Sequence, residues 1–112
     1  MMALWNIAPV TSEPEVSIAR WRVLQIHDGT KHFVGASERD FSGRVSSGIV
    51  AFDSKTRRGR TLSGRVYQLV GSPGQSADAD YVWQQWCLVN EVKSFTDVTV
   101  QFLGGAADDN PE

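Results

Sequence analysis

The chain has 112 residues, 41% hydrophobic and 21% charged, with one cysteine and a formal net charge of −2. That is one domain's length, enough to bury roughly 65% of the unfolded surface around a single core. These figures exclude a globally basic nucleic-acid binder, a charge-driven disordered chain, an intramolecular disulfide framework and every multi-cysteine zinc pattern.

Residues 1–16 carry Pro9, Pro14, Glu13 and Glu15 with no sustained period and read as a flexible N-terminal arm, on which Trp5 and Ile7 are the only candidates for docking. They lack a basic stretch followed by an apolar one, so no secretory signal is legible. No apolar run reaches the ~18–20 residues of a membrane span. The expectation is a cytoplasmic protein with no membrane role. Residues 104–112 offer no apolar side chain larger than alanine and read as a disordered acidic tail. The globular part is then 17–103.

Within it the apolar period is mostly two. Residues 21–26 are β-branched and aromatic enough for a strand, and 27–30 read as a turn. Residues 31–35 return as a second strand and 44–52 form a third. Asp53 opens a turn that Gly59 closes, so 60–70 pairs with the third strand in a long hairpin. Pro73 and Gly74 occupy the central positions of a type II turn.

The period then changes. Ser76 is a cap candidate, and Asp78 and Asp80 suit the positive end of a helix dipole. Ala79, Val82, Trp83 and Trp86 follow helical spacing, so 79–90 reads as a helix with Trp83 and Trp86 as its wedge. Residues 95–103 alternate again, with Val98, Val100 and Phe102 on one side. The order β-β-β-β-α-β predicts an α+β fold: an antiparallel sheet of four to five strands with one amphipathic helix packed on one face. An exposed edge on the fourth or last strand would permit a homodimer.

Catalytic and metal patterns find little support. Cys87 lies mid-helix, beyond the reach of the helix N-terminus, and only His27 and His32 could serve it as a base. A buried structural thiol is the better reading. His27, Asp28 and His32 straddle a turn, and no second Cys or His cluster completes a zinc set. Asp78 and Asp80, two apart on a helix, point in different directions. Phosphate-loop motifs are absent. The expectation is no enzyme, no cofactor and no metal.

Charge is the polarised feature. Residues 54–77 carry Lys55, Arg57, Arg58, Arg60 and Arg65 and no acid, a local +5, whereas 78–112 sum to −6. An arginine-rich hairpin offers planar forks for phosphates or for acidic protein surfaces. Aromatic side chains for base stacking are missing from the loop itself. The competing view is that loops between exposed strands are ordinarily polar.

The runs Lys31-His32-Phe33-Val34-Gly35, Gly43-Arg44-Val45 leading to Phe52-Asp53, and Gly59-Arg60-Thr61 with Ser63-Gly64-Arg65-Val66-Tyr67 follow one another along the chain. With Gly71, Pro73, Gly74 and Asp78 to Trp83, they resemble a group of small bacterial proteins often encoded on plasmids or integrated mobile elements. The likeness covers roughly 31–86 and brings no catalytic motif, cofactor or site. It implies accessory proteins of mobile DNA: small regulators, or inhibitors of host defence that bind a protein machine. The sequence therefore predicts a non-enzymatic binding module for a macromolecular partner, protein first and nucleic acid as the alternative, acting through Lys55, Arg57, Arg58, Arg60 and Arg65.

Overall fold

A computed structural model describes residues 14–107. The elements are β1 (Glu15–Ile26), β2 (Lys31–Ser37), β3 (Gly43–Val45), β4 (Ile49–Asp53), β5 (Arg58–Thr61), β6 (Val66–Leu69), α1 (Ala77–Val89), β7 (Phe95–Asp97) and α2 (Thr99–Ala107). The class is α+β. Of the expected arm, 1–13 lie outside the described residues, while Glu15 and Val16 stand in β1. Of the expected tail, 108–112 lie outside, and 104–107 continue α2.

The sheet is mixed and seven-stranded, not an antiparallel sheet of four or five strands. Its path runs β3-β2-β1-β6-β5-β4, with β7 pairing the far half of β1. The mixed character comes from β1 and β6, which pair parallel from Glu15↔Val66 to Ile18↔Leu69. The two ends of the path, β3 and β4, are joined by 46–48 alone. Four residue steps span at most about 14 Å, so the sheet must curl until its ends approach.

β1 is the spine of the fold and carries a bulge. Ala19 pairs with Ala36 but Arg22 with Val34, so one extra residue sits on β1, and Arg20 takes a left-handed φ of 51° there. The extra residue reverses the alternation. Val16 and Ile18 point inward before it, Trp21 and Val23 after it. Leu24 is thereby sent to the opposite face. Gly35 faces the bulge, where a Cβ would stand 3.0 Å from the Ala19 carbonyl oxygen and from the Trp21 Cα.

Inside the curl, those four residues pack with Phe33, Tyr67, Leu69 and Val98, and Ile49, Phe52, Phe102 and Leu103 close over them. Rings dominate: Phe33 lies 5.7 Å from Tyr67 and 6.2 Å from Phe102. On the outer face of β1, β2 and β3, Leu24, Val34 and Val45 receive Ala79 and Trp83 of α1. Ser76 caps α1 by accepting from the Ala79 N–H, and Trp83 stacks on Trp86 at 5.3 Å. The helix and its tryptophan wedge stand where the spacing places them.

Three expected strands differ. The stretch 44–52 breaks at Ser46, whose N–H still donates to the Phe33 carbonyl but whose hydroxyl, in place of its carbonyl, accepts from the Phe33 N–H. The stretch 60–70 breaks into β5 and β6 at a turn in which Gly64 has φ 92°. Both pieces are interior to the path, so the fourth strand is not an edge for dimerisation. Residues 95–103 are a strand only to Asp97. There the Asp97 carboxylate accepts from the Thr99 N–H and hydroxyl, and α2 begins. Val98 and Phe102, four apart, then face the core together, while Val100 is exposed.

Candidate functional site

The β4–β5 hairpin is tied down by its own polar groups. The Asp53 carboxylate accepts from the N–H of Lys55 at 2.9 Å, and its carbonyl accepts from the N–H of Arg57 at 2.8 Å. These bonds to the charged form hold the Asp53 carboxyl below its ordinary range. Arg57 adopts a left-handed φ of 60° to make the turn. From the neighbouring strand the Gln68 amide donates to the Thr56 carbonyl at 2.8 Å, and the Leu69 N–H donates to the Arg57 carbonyl at 2.9 Å.

The five predicted side chains then separate. Strand alternation puts Arg58 and Arg60 on one exposed face of β5 and Gly59 and Thr61 on the buried one. Arg58 forms a bidentate pair with Glu15 at 2.6 and 2.9 Å and also donates to Gln68 at 3.2 Å. The bonded guanidinium holds the Glu15 carboxyl low, and the carboxylate in turn raises Arg58. Arg57 lies with its guanidinium carbon 5.8 Å from the centroid of the buried Trp21 ring. Arg65 is 6% exposed and stands apart from the open cations of the hairpin. Lys55 at the tip and Arg60 on the outer face are exposed.

Sequence reasoning missed what holds these groups. Glu15 is 43 positions from Arg58 and falls within the expected N-terminal arm. Arg22, on the outer face of β1, pairs with Asp80 of α1 and reaches Asp97 of β7 at 3.7 Å. Asp80 is thus structural, while Asp78 points elsewhere. Burial pushes the Cys87 thiol up, the wrong direction for a nucleophile. The His27 Nδ1 accepts from the Lys93 N–H at 3.1 Å. His32 is 3% exposed, with Nδ1 2.8 Å from the Ser46 carbonyl and its ring 4.6 Å from that of Trp86. The two imidazoles serve separate places.

No protein-family model, curated protein or solved structure matches this chain. Among the described residues, no helix is long and apolar enough to cross a membrane. The class that fold and site define is an α+β domain with a curled mixed sheet, presenting a braced basic hairpin.

Proposed function

We propose that the protein is a non-enzymatic binding module that recognises an acidic patch on a protein partner, in the cytoplasm, through Lys55, Arg60 and the outer fork of Arg58. The carrying observation is the bracing of the hairpin by Asp53, Gln68 and the Trp21 ring, which leaves Lys55 and Arg60 open. A basic tip whose backbone is already ordered loses less entropy on binding. Glu15 and Asp53 flank the same cations, which suits a partner of mixed charge better than a run of phosphates.

Nucleic acid is the alternative, and affinity capture from the native host separates the two. Protein binding predicts that a specific partner survives nuclease treatment and is lost with K55E/R60E. Capture abolished by nuclease, with log K falling by about 0.9 per phosphate per decade of salt, would transfer the hairpin to DNA. Capture undiminished in the double variant overturns both readings.

A further inference from the structure

The bulge of β1, the β2–β3 turn and the start of α1 enclose a cleft of about 450 Å3, within the range of small-molecule sites. Its apolar lining includes Ala19, Ala36 and the Phe41 ring, and its charged lining is Arg20, Glu38 and Asp78. Two features of the lining bear on what it could hold. Phe41 is a bulky residue at a left-handed φ of 64°, held there by its N–H on the Ser37 carbonyl at 2.7 Å, with its ring 72% exposed. The ring belongs to neither core cluster and offers apolar surface at the cleft.

The second feature is charge. Arg20, Glu38 and Asp78 are all exposed and make no ion pair and no side-chain hydrogen bond with any described residue, whereas Arg22 and Arg58 both have carboxylate partners. One cation and two carboxylates therefore border one hollow without neutralising each other. A simple anion would meet Glu38 and Asp78, and a simple cation would meet Arg20. A ligand carrying both signs satisfies all three.

We infer that this cleft binds a small zwitterion with an apolar body, the class of a free α-amino acid or short peptide. Arg20 takes the carboxylate, Glu38 and Asp78 take the ammonium, and Phe41 with the alanines covers the apolar side chain. The site shares no residue with the hairpin and stands or falls separately from it.

The test is an amide NMR titration of the 15N-labelled full chain with L-alanyl-L-phenylalanine, its N-acetyl form and its C-terminal amide. Saturable shifts confined to 19–20, 36–41 and 76–78 are expected, and blocking either end should weaken binding about tenfold or more, the scale of one charge-assisted hydrogen bond. Arg20→Gln should abolish the difference between free acid and amide, and E38Q/D78N that between free and acetylated amine. The blocked peptides keep the test decisive even if a variant fails to fold. No saturable shift up to about 10 mM, shifts centred elsewhere, or equal binding of all three peptides would overturn the inference.

Discussion

Gly43 is where the sheet touches α1 most closely, and Gly43→Ala tests that contact. A Cβ built there would stand 2.4 Å from the Asp78 carbonyl oxygen, 2.6 Å from its carbonyl carbon and 2.8 Å from the Ala79 Cα. All three are backbone atoms, so no side chain can swing aside. Restoring an ordinary separation of 3.4 Å moves the first turn of α1 by about 1 Å, against Ala79 and the Arg22–Asp80 pair. Overpacking of this kind costs roughly 1–3 kcal/mol, offset by the roughly 0.4–1 kcal/mol that alanine removes from unfolded-chain entropy. The net is about 0–2.6 kcal/mol, centred on about 1.3 kcal/mol, which corresponds to a Tm lower by about 5–10 °C. Calorimetry gives the Tm, and near-UV circular dichroism of the stacked Trp83 and Trp86 reports the helix shift. Gly64→Ala is the control: its φ is 92° with nothing within 4 Å of the added carbon, so it should lower Tm through backbone strain and leave the tryptophan signal unchanged. A Gly43→Ala protein with unaltered Tm and spectrum would refute the packing of α1 described above.

Burial holds the His32 pKa below its ordinary 6.5. As pH falls past that value the unfolded chain takes up a proton that the folded chain refuses, so stability declines by up to about 1.4 kcal/mol per pH unit. Glu15, Asp28, Asp40 and Asp53 are held low as well, but their contribution is lost only as pH drops below about 4. Denaturant titrations from pH 7 to 5 should therefore show a decline that His32→Gln abolishes; matching slopes in both proteins would contradict a buried neutral imidazole. Thr99→Val should cost about 1–3 kcal/mol in urea unfolding, because the Thr99 hydroxyl accepts from the buried Val23 N–H at 2.9 Å; a neutral result would argue against α2 starting there. Arg65→Ala should lower Tm and Arg60→Ala should leave it within error, and the reverse order would mean that the hairpin faces have been exchanged.

Local chemistry was legible where period and turn signals agreed. Ser76, Ala79 and Trp83 announce α1, and the Asp53 turn announces its hairpin. What misled was parity. The bulge at Arg20 shifts the inward positions from Val16 and Ile18 to Trp21 and Val23, so no single alternation runs through 15–26, and Glu15 and Val16 pass for the end of an arm. In 98–102 the apolar spacing fits a strand and a helical turn equally, and only the hydroxyl of Thr99 on the β1 backbone decides for the helix. The local +5 of 54–77 counts charges without their partners. Glu15, Trp21 and the interior claim Arg58, Arg57 and Arg65 through contacts distant in sequence. The cleft is less legible still, since Arg20, Phe41 and Asp78 are brought together by a bulge and two left-handed residues that leave no composition signal.

The claim that the hairpin is the partner-binding element meets its most direct test in the affinity of the captured partner for wild-type protein and for K55E/R60E, measured by calorimetry at one salt concentration after both proteins are shown to melt alike. Two reversed charges at a preorganised tip should weaken binding by at least about tenfold, and the partner should remain bound after nuclease treatment. Equal affinity for the two proteins would place recognition elsewhere on the molecule.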